Sequence, residues 1–136
     1  MKYIKFLARV DMEKCNGDRL CETICPTGAI RVVKKKAVVD KDRCRACFKC
    51  RDVCRQDAVT IVDRESPITV ATPEDVDEER IQEICGKANL FADQPVCACT
   101  LTQTREVAAA TLKGAKTPED ISVMTGARTG CGIYCM

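Results

Sequence analysis

Cys44, Cys47, Cys50 and Cys54 stand two, two and three residues apart, four thiols within eleven residues. A loop with this spacing lets the first three thiolates wrap three corners of an iron–sulfur cubane, while the fourth leaves for a neighbouring cluster. A tetrahedral zinc site more commonly draws on two separated pairs of ligands, so the crowding favours iron–sulfur chemistry. Twenty-nine residues earlier the loop recurs as Cys15-x-x-Asp18-x-x-Cys21-x-x-x-Cys25-Pro26, and Asp18 stands where Cys47 stands in the second copy. Three readings of Asp18 are open: an oxygen ligand to the fourth iron, a bystander beside a three-iron cluster, or a loop residue beside a degenerate site. A carboxylate is a harder and weaker donor to such iron than a thiolate. A ligated fourth iron would therefore be labile, and its cluster would differ in potential from its neighbour.

A second ligand set lies further along. Cys97-Ala98-Cys99 is followed by 31 residues and then by Cys131-Gly132-Ile133-Tyr134-Cys135. The glycines at 126, 130 and 132 allow backbone to approach closely and to turn N–H groups toward sulfur. A structural zinc on the same four thiolates is the competing reading. The twelfth cysteine, Cys85, falls on an apolar helical stripe. It reads as a small buried hydrophobe or as a substitute for Cys135.

Composition narrows the chemistry further. The chain has 12 cysteines and no histidine, so any metal is held by thiolate, carboxylate or backbone; a Rieske centre, a His-ligated haem and a His-based zinc hydrolase are excluded. Charge at Lys2, Lys5 and Arg9 interrupts the N-terminal apolar residues, and no segment is long enough to span a bilayer. The expected setting is the reducing cytoplasm, where so many cysteines indicate metal sites rather than disulfides. The 22 basic and 20 acidic residues leave a net charge of +2, with no field for nucleic acid or an anionic membrane. Lys34-Lys35-Lys36 falls at a hairpin tip, solvated or docking an acidic partner. There is no dinucleotide fingerprint, P-loop or nucleophile with a base, because the glycines from 126 to 132 lack the preceding strand and the spacing of a Rossmann loop.

The elements that must position these ligands follow the 29-residue offset. Val10-Asp11, Cys15, Cys21, Cys25 and Ala29-Ile30 correspond to Val39-Asp40, Cys44, Cys50, Cys54 and Ala58-Val59. Each copy reads as strand, cysteine loop, short helix, strand, with strands expected over 29–33, 37–39 and 58–62, too short to be stable without something to pack on. Thr72-Pro73-Glu74-Asp75 predicts a helix start, and Val76, Ile81, Ile84, Cys85 and Ala88 continue it to about Asn89 with a stripe expected to lie on the N-terminal module. Helices are then expected over 104–113, ended by Gly114, and from Thr117-Pro118 to Gly126. The fold class is α+β: a pseudo-twofold two-cluster module of short hairpins and helices over 1–66, a linker helix over 67–92, and a small all-α helix-turn-helix unit over 93–136.

Residues 1–66 resemble the bacterial-type two-cluster ferredoxins, specifically the members whose second cysteine is aspartate. The resemblance implies crossed ligation, with Cys15, Cys21 and Cys54 plus Asp18 at the fourth iron of one cubane, the alternative there being a [3Fe-4S] cluster, and Cys44, Cys47, Cys50 and Cys25 at the other [4Fe-4S] cluster. Two residues depart from the pattern: Asp18, and Arg55 where a proline usually follows the last cysteine. The stretch Cys97-Ala98-Cys99-Thr100-Leu101-Thr102, the Gly114-to-Asp120 turn and Thr125-to-Gly132 resemble the bacterioferritin-associated ferredoxin-like domain. This implies one [2Fe-2S] cluster on Cys97, Cys99, Cys131 and Cys135, although three residues rather than the usual two separate the last pair. That family occurs alone, in nitrite reductases, and attached to flavin-dependent dehydrogenases. The expected role is an electron-transfer subunit without a substrate site of its own, passing single electrons for flavin-containing dehydrogenase subunits, with no nucleic-acid partner and no membrane insertion. A free diffusible ferredoxin, and an iron or redox sensor built on a labile Asp18 site, are the alternatives.

Overall fold

The cysteine loops must reverse direction within a few residues, and the backbone does so by entering the left-handed region at matching places in the two copies. Gly17 (φ +73°), Arg19 (φ +65°) and Gly28 (φ +62°) have counterparts 29 residues on in Ala46 (φ +52°), Phe48 (φ +65°) and Asp57 (φ +50°). For non-glycine residues this costs on the order of 1–3 kcal/mol each, so the loops are held in place by what surrounds them. The computed structural model describes residues 2–71, 75–131 and 135.

Among these the order is β1 Lys2–Val10, α1 Leu20–Ile24, β2 Ile30–Val33, β3 Lys36–Val39, α2 Lys49–Val53, β4 Val59–Val70, α3 Glu78–Lys87, β5 Pro95–Cys97, β6 Thr102–Gln103, α4 Thr104–Leu112 and α5 Pro118–Thr125. The chain is a mixed α+β protein made of short paired strands and helices. It divides into two compact units, one of residues 3–68 and one that unites residue 2 with the chain from Thr69 onward. No helix of the described residues is long and apolar enough to cross a membrane.

In the 3–68 unit the strands pair β1 with β4 and β2 with β3, the latter antiparallel from Ile30↔Val39 to Val33↔Lys36. Lys34 and Lys35 form the β2–β3 turn with φ of +50° and +62°, as a tight hairpin requires. Lys36 is no solvated tip residue: its ammonium donates to Met12 O at 2.5 Å and Cys15 O at 2.6 Å. The pseudo-symmetry extends to hydrogen bonds, since Asp11 N donates to Ala58 O (2.7 Å) and Asp40 N to Ala29 O (2.6 Å). β4 is longer than the expected strand over 58–62 and runs through Ser66-Pro67. A proline is tolerated there because each strand of a two-stranded sheet has an unpaired edge. Buried side chains of this core are Ala8, Ala29, Ala37, Ile30 and Val59 with Cys21, Cys44 and Cys50. So many small residues leave space that ordinary close packing would fill.

The second unit differs from expectation in three ways. The helix start expected at Thr72-Pro73-Glu74 lies outside the described residues, and α3 begins later, capped by Asp77, whose carboxylate accepts from Glu79 N at 3.0 Å. Its stripe does not serve the N-terminal module: Ile81 and Cys85 are buried with Ala92, Ala108 and Ala109, flanked by Val76, Ile84 and Leu112, so α3 packs on α4. The alanine face of α4 leaves room for those larger side chains. The C-terminal region is also not all-α, because β5 and β6 form an antiparallel pair with Cys97 opposite Thr102. The two C-terminal helices match the sequence closely. α5 has Thr117 as N-cap, Pro118 in its first turn, a capping box with Asp120, and Gly126 (φ +76°) closing it.

Candidate metal centres

Two small recesses open in the 3–68 unit. The first is lined by Cys15, Gly17, Asp18, Cys21 and Cys54 against Val10, Ala37 and Val59. The second is lined by Cys25, Cys44, Cys47 and Cys50 against Ala8, Ile30 and Phe48. Each recess thus takes its ligand-type side chains from one loop plus the last cysteine of the other loop. The crossing follows from the short helices: α1 and α2 carry Cys25 and Cys54 away from the loops that precede them.

Backbone donors surround the sulfurs. Ala29 N donates to Cys25 Sγ at 3.3 Å and Ala58 N to Cys54 Sγ at 3.3 Å, a symmetric pair, while Ala37 N donates to Cys15 Sγ at 3.4 Å. Such N–H groups stabilise anionic thiolate and cluster sulfide. In the protein alone the same crowding works against charge. Burial pushes the Cys50 thiol up to about 12, with Cys47, Cys44 and Cys25 adding to the shift. Burial likewise raises Cys47, beside Cys25 and Cys44, and Cys21, beside Cys15 and Asp18. Thiols forced together in a recess need cations to become thiolates, which the irons of a cluster provide.

Asp18 reproduces one further feature of its counterpart. Cys47 Sγ accepts a hydrogen bond from the Lys49 backbone, two residues on, and the Asp18 carboxylate accepts one from Leu20 N at 3.1 Å, also two residues on. Asn16 Oδ1 fixes the turn from the other side by accepting from Asp18 N at 3.2 Å. Gly17 is required beside it: a Cβ there would lie 2.5 Å from Lys35 O.

Sequence reasoning passed over the cations of this unit. Arg64 donates to Phe6 O at 3.0 Å, Lys41 O at 2.7 Å and Cys44 O at 2.5 Å, and Arg45 donates to Cys44 O at 3.3 Å. Lys36 occupies the equivalent place on Cys15 O. Each first cysteine therefore has its carbonyl clamped by cationic donors, two guanidiniums in one case and one ammonium in the other. No spacing rule announces the contacts of Arg64 and Lys36, because they come from 20 or more positions away.

The C-terminal quartet also converges. Cys131 N donates to Cys99 Sγ at 3.4 Å, and a Cβ on Gly130 would fall 2.3 Å from Cys99 Cβ, so only glycine lets the two loops meet. Burial opposes ionisation of Cys97, but hydrogen bonds from the Thr100 hydroxyl, the Arg128 and Thr100 N–H groups and the Cys135 thiol outweigh it and hold the Cys97 thiol below its ordinary range. Cys135 is pushed the other way by burial and by its place beside the Cys97 sulfur. Cys97 is buried, Cys135 half-buried, and Cys99 and Cys131 are exposed at the surface. Gly126 does not face the sulfurs; its open Cα makes room for the stem of Lys2. Gly132 lies outside the described residues. Cys85 stays in the α3–α4 core. Among the described residues no three cysteine or acidic side chains gather round a single ion. A polynuclear cluster does not ask for that, because each of its ligands binds a separate iron or shares an iron with one other.

The donor set fits iron–sulfur clusters: buried thiols, backbone N–H groups on sulfur, and recesses lined by alanine and valine. No curated protein matches this chain. Two family models do match: residues 8–31 match the 4Fe-4S binding domain, over the repeat that carries Asp18, and residues 95–136 match the BFD-like [2Fe-2S] binding domain. The chain therefore joins a segment that matches the 4Fe-4S binding domain to one that matches the BFD-like [2Fe-2S] binding domain, and both matches support an iron–sulfur electron-transfer role.

Proposed function

We propose that the chain is the iron–sulfur electron-transfer subunit of a multisubunit, flavin-dependent oxidoreductase, relaying single electrons without a substrate site of its own. The observation that carries this reading is the sorting of the cysteines into three groups: the recess with Cys15, Asp18, Cys21 and Cys54, the recess with Cys25, Cys44, Cys47 and Cys50, and the quartet of Cys97, Cys99, Cys131 and Cys135. The first group would hold a cubane with Asp18 at the fourth iron, the second a [4Fe-4S] cluster, and the third a [2Fe-2S] cluster. Bound clusters supply reversible one-electron reduction. The chain's own residues exclude water with Ala8, Ala37 and Val59, donate N–H groups to sulfur, and set the surroundings of each centre by charge.

The two cubane sites have unlike surroundings, a carboxylate and one lysine at the first and two arginines at the second, which supports unequal potentials and a directional relay. Exposure of Cys99 and Cys131, next to the 79 % exposed Leu101, supports electron entry at the [2Fe-2S] centre from a docked flavin subunit. Anaerobic co-purification from the native source, with the partners untagged, tests the subunit reading. Flavin-containing chains that stay associated with this one, and a [2Fe-2S] signal that appears before the cubane signals when the complex is reduced by its substrate, are expected. A chain that purifies alone, or cubanes reduced first, would contradict it.

A further inference from the structure

The near-neutral total charge hides an uneven distribution within the 3–68 unit. The two cysteine loops that run between strands, residues 11–29 and 40–58, carry four acidic residues each. The first holds two cations, Lys14 and Arg19, whereas the second holds six: Lys41, Arg43, Arg45, Lys49, Arg51 and Arg55. One loop is net −2 and its copy net +2, on a frame that otherwise repeats.

The added cations stand round the recess of Cys25, Cys44, Cys47 and Cys50. Arg45 and Phe48 line it. The Arg51 guanidinium lies over the Phe48 ring, 5.7 Å from its centroid, and the Phe6 ring packs against Phe48 at 6.3 Å with the Lys5 ammonium 5.3 Å from its own centroid. Lys5, Lys41, Arg51 and Arg55 are exposed. Arg51 pairs with Asp52 at 3.5 Å, but both side chains are more than half exposed, so the pair contributes little and yields to a competing carboxylate. In the first copy Arg19 stands at the place of Phe48, and no aromatic residue lines that recess. The positive face therefore coincides with an aromatic wall of one cluster site only. Phe6 and Phe48 are half-buried against each other and covered by Lys5 and Arg51, so they offer no open platform for a stacked base, and the face suits a carboxylate-rich protein better than a nucleic acid.

We propose that the 40–58 loop, together with Lys5, is the docking face for a soluble one-electron carrier protein with an acidic surface. The second cubane site gives up one electron there and the carrier takes it, with no bond made and no proton moved. The inference rests on the reading of Cys25, Cys44, Cys47 and Cys50 as ligands of a [4Fe-4S] cluster. Opposite charge at the face raises the rate of encounter, and salt removes that advantage.

The test is stopped-flow oxidation of the full chain, purified and reduced anaerobically, by an acidic b-type cytochrome and by a basic c-type cytochrome, both soluble one-electron carriers followed at their haem bands. Lys5→Glu combined with Arg51→Glu should slow the acidic carrier about tenfold at low salt, leave its rate at high salt unchanged, and not slow the basic carrier. Lys14→Glu combined with Lys34→Glu makes the same change of charge on exposed residues of the first loop and the β2–β3 turn, and should leave the acidic carrier's rate nearly as it was. Should the Arg51 variant lose the second cubane signal, Lys5→Glu with Arg55→Glu decides: a salt-sensitive slowing supports the face and an unmoved rate overturns it. Rates indifferent to Lys5 and Arg51, or slowed as much by the Lys14 and Lys34 changes, would overturn the docking face alone. Tighter binding of a single-stranded oligonucleotide than of the acidic cytochrome, lost in the Lys5 and Arg51 variant, would overturn it as well. A wild-type chain without a second cubane signal would overturn the cluster reading and the inference with it.

Discussion

Asp18 and Cys47 occupy one position in two copies of one loop, and each accepts an amide hydrogen bond from the residue two places on. A carboxylate in this place would offer iron a weaker bond than a thiolate does. Asp18→Ala should leave the first cluster in a three-iron form and lower iron content by about one per chain, whereas Asp18→Cys should retain the fourth iron under mild chelation and change the EPR spectrum of that cluster. An unchanged spectrum and iron content in both variants would show that Asp18 is not a ligand. At the other site Gly130→Ala, whose Cβ would meet Cys99 Cβ at 2.3 Å, should abolish the [2Fe-2S] signal and leave the cubane signals intact; a retained signal would mean that the 130–131 turn is not essential to the cluster. The grouping of the cysteines of the 3–68 unit into two recesses was legible in the sequence, because the loops repeat one spacing. The contacts of Lys36 and Arg64 were not, since a charged side chain carries no mark of the carbonyl it will reach across the fold.

Elements announce themselves only where local chemistry decides them. α4 and α5 could be read nearly residue for residue from Gly114, Thr117-Pro118 and Gly126, because caps and stops act within one turn. The length of β4 could not, since its strand continues through Pro67 by pairing with β1, about sixty residues earlier in the chain. The stripe of α3 was visible, but not the surface it covers, because periodicity names a face and not its partner. Ile81→Ala removes a buried side chain between α3 and α4 and should destabilise the C-terminal unit by about 2–5 kcal/mol. Thermal unfolding followed by far-UV circular dichroism should show that loss while the cubane absorbance persists to its usual temperature; a wild-type melting profile would mean that α3 does not depend on this contact. Cys85→Ala, in the same core, should leave iron content unchanged.

At the scale of the whole molecule, the 3–68 unit has a core that bound clusters would have to complete. Residues 3–68 bury mainly alanine and cysteine, with Ile30 and Val59 the only larger aliphatic side chains buried among the described residues, too little apolar surface for a domain of this size to be stable unaided. Burial holds Cys50 and Cys47 protonated until metal displaces the protons, so cluster loss leaves two recesses and no compensating contact. Stripping iron with a strong chelator should therefore unfold this unit, seen as loss of strand and helix signal in circular dichroism, and retention of native secondary structure would refute that dependence. The proposed function puts three clusters on one short chain, one of them partly held by a carboxylate. Iron and sulfide counting with zinc analysis on the anaerobically purified chain, read beside low-temperature EPR, tests it most directly. Two four-iron clusters and one two-iron cluster predict about ten irons, or about nine where the Asp18 site has lost its labile iron. About eight irons with one zinc per chain, or four irons and a single cubane signal, would contradict it.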